Sequence, residues 1–188
     1  MQIHGITLFE LLISLAVAAI VGMLALPSFD SLVASQRSAA VLNQMIGTVQ
    51  YARNAAATMR QTVTICPGEK DTCGKRNTWQ HGVNIFIDRN RNGKMDKQDT
   101  VLTRLPGIVD GKLYWRSFRN RSYLQFRSTG LTNWQNGNFL FCTDSQNLKH
   151  ARMIILNAQG RARKSPDSDN DGIVEDAQGK NITCPSIP

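Results

Sequence analysis

The chain has 188 residues, a formal net charge of +8 and four cysteines. With an N-terminal rod of about 60 residues set aside, about 130 remain, enough for one globular domain with one core. A basic balance suits an acidic partner such as nucleic acid or anionic lipid, and also serves solubility alone. His4, His81 and His150 stand apart in sequence, and neither a Gly-x-Ser-x-Gly nucleophile motif nor a phosphate-cradling glycine loop occurs, so nothing argues for an enzyme.

The N-terminus carries the sharpest signal. Residues 6–26 contain a single charge, Glu10, and at about 1.5 Å per residue they reach roughly 31 Å, the thickness of a hydrocarbon core. A carboxylate near the centre of an isolated spanning helix costs about 2.5–3.5 kcal/mol, so Glu10 calls for a partner. A secretory signal would begin with basic residues and end in a small-residue cleavage site, whereas here Gly5 precedes the apolar run. A plain N-terminal anchor accounts for the apolarity but not for Gly5 and Glu10.

Met1–Gly5 followed by Ile6-Thr-Leu-Phe-Glu10 and the apolar run resembles a type IV prepilin. The resemblance implies cleavage between Gly5 and Ile6 by the prepilin peptidase and N-methylation of Ile6. It also implies that Glu10 pairs with the terminal amine of a neighbouring pilin in the filament. His4 stands where the family usually has Lys or Arg, and Ile6 replaces the usual Phe. The expected layout is a leader at 1–5, a transmembrane and filament-core helix at 6–26, its amphipathic continuation at 27–60 and a β-rich head at 61–188.

Apolar positions from Phe29 to Met59 keep a helical spacing, and no Pro–Gly stop occurs before Pro67-Gly68. One helix of about 53 residues is predicted, bent at Pro27, which lacks a backbone donor. Beyond residue 61 the period changes to two. Strands are predicted at 62–66, 83–88, 100–105, 112–117, 123–128, 138–143 and 152–157, with a short one at 161–164, separated by Gly, Asn and Asp turns. The expected fold is α+β, a long helix packed on an antiparallel β-sheet head. Thr64-Ile-Cys-Pro67, Trp79-Gln-His-Gly82, Phe86-Ile-Asp88, Phe126-Arg-Ser-Thr-Gly130, Phe139-Leu-Phe-Cys142 and Gly160-Arg-Ala-Arg163 resemble the FimT/GspH branch of minor pilins and pseudopilins.

Lys149, Arg152, Arg161, Arg163 and Lys164 form a basic segment at 149–164 without an acid. On an extended chain Arg161 and Arg163 project to one face about 7 Å apart, close to the spacing of successive phosphates on one strand. Gly-Arg-x-Arg here resembles FimT minor pilins, which implies non-specific DNA binding during uptake for natural transformation. The plain alternative is an edge strand protected by charge. Lys112, Arg116, Arg119, Arg121 and Arg127, interleaved with Tyr114, Trp115, Phe118, Tyr123 and Phe126, have the composition of a single-strand platform; strand alternation favours the plainer reading, aromatics in the core and arginines on a solvated face that extends the basic surface.

Two loops have calcium-like spacing: Asp88, Asn90, Asn92 with Gly93, and Asp167, Asp169, Asp171 with Gly172. The first lacks a bidentate Glu and is flanked by Arg and Lys; the second is either a calcium site or a solvated acidic tail. That tail, 165–188, holds five acids and one Lys, and unless folded away it competes with phosphate for the arginines. No cofactor other than calcium is indicated. The four cysteines allow three pairings, and Cys66–Cys73 with Cys142–Cys184 is expected, the first flanking a Pro–Gly turn and the second tying the tail to a strand.

The expected protein is a FimT-like minor pilin with DNA, other pilins, the prepilin peptidase and the inner membrane as partners. It sits as a single-pass protein with a periplasmic head, or in the assembled pilus. The alternative is a minor pilin or GspH-like type II secretion pseudopilin of the tip complex without DNA binding.

Overall fold

The computed structural model describes residues 7–185, with the side chains of 24–28 also outside the described set. Gly5 and Ile6 therefore lie outside the described residues. A single helix, α1 (Leu8–Met59), runs 52 residues, continuous across position 27. Thr7 caps it by accepting the Glu10 N–H, and Arg60 ends it in the left-handed region at φ 53°. Leu8, Phe9, Leu15 and Ile20 of its first part stand exposed. Among the described residues no helix is long and apolar enough to cross a membrane. The apolar run at 6–26 extends past the described side chains at both ends.

The second half of α1 turns Leu42, Met45, Val49, Ala52 and Ala56 inward. Among the described residues eight strands follow: β1 (Val63–Pro67), β2 (Val83–Ile87), β3 (Thr100–Leu105), β4 (Gly111–Ser117), β5 (Leu124–Phe126), β6 (Gly137–Thr143), β7 (Arg152–Leu156) and β8 (Ala162–Lys164). They form two antiparallel sheets rather than one, in the orders β3-β2-β1-β5 and β4-β6-β7-β8. Alternation decides which residues meet the helix. Val63, Ile65, Ile85 and Phe126 of the first sheet and Leu113, Phe139, Ile154 and Leu156 of the second share one core with α1. Trp79 and Trp115 close on Phe139, with ring centroids 4.8 and 4.2 Å away.

Both outer faces are covered as well. Val174, Ile182 and Cys184 of the C-terminal tail pack on Leu140, Cys142 and Met153 of the second sheet. Disulfides join Cys142 to Cys184 and Cys66 to Cys73. On the first sheet, Phe86, Tyr123 and the Cys66–Cys73 bridge cluster under the loop that follows β2, together with Met95. That loop depends on Gly93, which has φ +73° and would set a Cβ 2.2 Å from the Tyr123 ring. Gly93→Ala is expected to destabilise the head by about 1–3 kcal/mol, through positive-φ strain and overpacking, measured as a lower midpoint in chemical denaturation.

Candidate nucleic-acid interface

The β7–β8 hairpin turns through Gly160 at φ +79°, where a Cβ would meet Phe126 at 2.7 Å and the Gly130 carbonyl at 3.2 Å. Only glycine suits both the conformation and the space. Asn157 fixes the turn: its Oδ1 accepts the Arg161 N–H at 2.9 Å. β8 then pairs antiparallel with β7, Arg163 opposite Ile155 and Ala162 opposite Leu156. Leu156 faces the core, so Ala162 does too, while Arg161 and Arg163 share the outer face. The two arginines line a surface groove of about 270 Å³ with Ile155 and Asn157. Both are exposed, and neither side chain makes a hydrogen bond or ion pair among the described residues.

The rest of the basic segment lies elsewhere. Lys164 pairs with the buried Ile154, which puts it on the opposite face of the sheet from the arginines. Lys149 and Arg152 sit at the other end of β7. Arg152 spends its guanidinium on the carbonyls of Lys149 (2.7 Å) and Ala151 (2.8 Å) and on Ser35 Oγ of α1 (3.2 Å), which makes it a brace between head and helix. The Lys149 stem lies 3.4 Å from where a Cβ of Gly172 would stand, beside the acidic loop. Runs of charge that are continuous in sequence are split because an antiparallel strand carries its two ends to opposite poles.

The converse also holds: clusters distant in sequence meet. β4, β6, β7 and β8 place Arg116, Asn138, Ile155 and Arg163 in one cross-strand row on the outer face. Three strand spacings separate the two arginines, roughly 14 Å. Beside that row a groove of about 690 Å³ is lined by Arg116, Phe118, Asn138, Ile155 and Asp176 among others. The end of β4 continues into exposed Phe118 and Arg119, and the loop after β5 brings Arg127 and Trp134 to the same end of the sheet. Among the described residues the ion pairs are Arg37–Asp110 and Arg104–Asp71, so none of these arginines is neutralised by one. This end lies far along α1. Arg53 donates to the Gly130 carbonyl at 3.2 Å, whereas Arg152 at the opposite end contacts Ser35. Eighteen helical residues separate the two contacts, roughly 27 Å. Sequence spacing missed this convergence, although an up-and-down strand order with β4 and β8 at the two edges would have revealed it.

The acidic tail stays clear of Arg161 and Arg163. Ser165 donates through its hydroxyl to the Glu175 carbonyl, Ile182 N–H to the Val174 carbonyl, and the disulfide holds the far end. Asp176 is the carboxylate that lines the groove beside Arg116. Backbone N–H groups of Lys180 and Gln178, helped by the charges of Lys180 and Arg116, hold its pKa below the usual 3.8. Carboxylates of Asp167, Asp169 and Glu175 come within 4.8 Å of one another. Asp171 is not among them, because its oxygens accept from the Ile173 N–H and Asn181 Nδ2. Glu175, four positions on, returns through a bridge pairing and replaces it.

The loop at 88–99 is a different case. Asp88 accepts from the Asn92 and Gly93 N–H groups, the Thr64 hydroxyl and the Gln125 side-chain amide through Nε2, and Asn90 and Asn92 donate their amides to Asp96. Those amides hold the Asp96 pKa below 3.8. Asp88, Asn90 and Asn92 thus build a turn held by its own hydrogen bonds.

A long helix whose second half carries two antiparallel sheets is the architecture of a type IV pilin subunit. The type IV minor pilin FimU of Pseudomonas aeruginosa superimposes in two crystal forms. One gives a TM-score of 0.55 at 18% identity over 71% of this chain and 91% of that one. The other gives 0.50 at 19% identity over 67% and 90%. Identity this low carries the fold alone. The sequence profile of the type II transport protein GspH matches residues 41–160, and the chain belongs to that family of minor pilins and pseudopilins. Comparison with curated proteins finds no match.

Proposed function

We propose that this chain is a minor pilin whose head holds DNA by its phosphate backbone and supports DNA uptake in natural transformation. The observation that carries the reading is the outer-face pair Arg161 and Arg163, exposed, free of carboxylate partners among the described residues, and aligned with Arg116 across the sheet. Guanidinium groups grip phosphate oxygens in pairs and give affinity without base choice. Lys164, Lys149 and Arg152 contribute little in this reading, for the reasons of face and end given above. A second reading, a subunit of a pilus tip or type II secretion pseudopilus without a nucleic-acid role, is favoured by the family's description.

Titration of the full chain in detergent with duplex DNA at several salt concentrations separates the two. Arg161→Ala with Arg163→Ala is expected to weaken binding and to flatten the log–log salt slope by about 1.8, at about 0.9 per phosphate contact. Lys149→Ala, at the opposite end, is expected to change neither. Absence of binding in the unsubstituted chain leaves the tip-subunit reading.

Assembly follows the prepilin pattern in this proposal, with the head periplasmic and the helix in the inner membrane before incorporation into a pilus. The peptidase cuts between Gly5 and Ile6, and Glu10 pairs with the new amine of a neighbouring subunit. Gly5→Ala is expected to leave a membrane-bound precursor, seen as an intact mass that still includes residues 1–5. Glu10→Ala is expected to be processed yet incorporated poorly, because it leaves a buried amine without its partner.

Calcium, if the tail uses it, is held by Asp167, Asp169 and Glu175. Millimolar calcium is then expected to raise the melting temperature relative to chelator, and Asp169→Ala to remove the rise. An unchanged melt assigns the cluster to a solvated tail.

A further inference from the structure

Trp134 is the exposed tryptophan of the head: it is 61% exposed, while Trp79 and Trp115 are 0% and 3% exposed. Its backbone has φ 61°, a left-handed conformation that bulky side chains rarely adopt. Such a conformation persists only where neighbours over-determine it, and here they do. Asn133 on one side is held by its N–H to the Gln125 carbonyl (2.9 Å) and its amide to Gln125 Oε1 (2.7 Å). Gln135 on the other side is 1% exposed, accepts the Gln125 N–H at 2.7 Å and donates to the Tyr123 carbonyl at 3.1 Å. Gln125, also 1% exposed, is anchored in turn to Thr64 and Asp88. Both flanking residues are thus tied into the head, and the indole between them is directed outward.

The ring is also set electrostatically. Asn133 Oδ1 accepts from Arg127 Nε (3.2 Å) and Nη2 (2.8 Å), which holds that guanidinium 5.7 Å from the Trp134 ring centroid. The same loop is pinned to the β7–β8 hairpin, where Thr132 donates its N–H and its hydroxyl to the Ala158 carbonyl at 3.2 and 2.8 Å. Trp134 and Arg127 therefore stand at the end of the second sheet that presents Arg161.

We infer that Trp134, with Arg127, is a stacking platform for an unpaired nucleobase, so that the basic end prefers single-stranded over duplex DNA. This rests on the nucleic-acid reading above and goes beyond it. A flat apolar ring beside a fixed cation fits a base and its phosphate together, and every base offers a π-face to it. In a duplex the bases are already stacked on one another, so only the phosphate contacts remain. The surrounding charge selects the occupant: Arg127, Arg161 and Arg163 bear no ion pair among the described residues, which complements a polyanion.

The test uses the full chain in detergent with a fluorescein-labelled oligothymidylate and a duplex of the same length. Trp134→Ala is expected to weaken single-strand binding by about 5- to 150-fold while duplex binding holds. Trp134→Phe is expected to restore most of it. Because the other two tryptophans are buried, quenching of intrinsic fluorescence by the unlabelled single strand reports on Trp134. Trp134→Gly is expected to lose the same affinity with an unchanged or higher melting temperature, since glycine accepts this φ, which separates lost stacking from lost folding. If Trp134→Ala binds both ligands as before and Arg161→Ala with Arg163→Ala binds neither, the platform is overturned and the phosphate clamp stands. If Trp134→Ala impairs only co-assembly with other pilin subunits, Trp134 is a protein contact and the inference fails. If the unsubstituted chain binds neither ligand, both readings fall together.

Discussion

The carboxyl group of Asp88 organises more of this head than any other single group. It is 1% exposed and receives four hydrogen bonds, from Thr64 on β1, from Gln125 on β5 and from two N–H groups of its own loop. A buried carboxyl with fewer donors would be strongly destabilising, so strand pairing, loop closure and the placement of Gln125 have to form together. Through Gln125 the constraint passes to Asn133 and Gln135, and through them to an exposed loop. A polar network under the outer face of one sheet thereby fixes the surface at the edge of the other.

The head has two chemically different poles. Near the exposed apolar part of α1, Arg152 ties β7 to Ser35, and the acidic loop lies beside Lys149. Farther along the helix, arginines from three separate segments gather without carboxylate partners, apart from Asp176 at the margin of Arg116. The tail, which carries five of the fourteen acids, is anchored over the middle of the second sheet by Val174, Ile182 and the disulfide to Cys142. Anchoring the tail there keeps its charge from collapsing onto the cationic edge.

Much of the architecture was legible in the chain. The long apolar run and the change of period from helical to alternating near residue 61 mark α1 and all eight strands, because burial on one face imprints a local repeat. Division into two sheets leaves no such imprint, since β4 and β5 both alternate and only their partners differ. The same limit applies to the site. Arg161 and Arg163 share a face because strand geometry is local, yet Lys164 next to them faces away, and the alignment of Arg116 with Arg163 exists only through β6 and β7. By spacing Asp171 is the third acid of its loop, whereas the carboxylate that joins Asp167 and Asp169 is Glu175 from the returning chain. Trp134 had no sequence signal at all: an exposed aromatic and a core aromatic are the same letter until their neighbours' hydrogen bonds are known.

The bridge from Cys142 to Cys184 has a mechanical meaning. It encloses β7, β8 and the tail in one covalent loop with a sequence separation of 42. β8 is a three-residue edge strand paired only to β7, and edge strands peel one hydrogen bond at a time when pulled across their length. A load applied at Arg161 or Arg163 by a tethered polymer would begin such peeling. Strand β6 carries Cys142 and lies inside the sheet, so tension reaching the tail would be transferred to β6 and from there to the core packed on α1. A subunit hauled by its outer edge is in this way gripped through its centre.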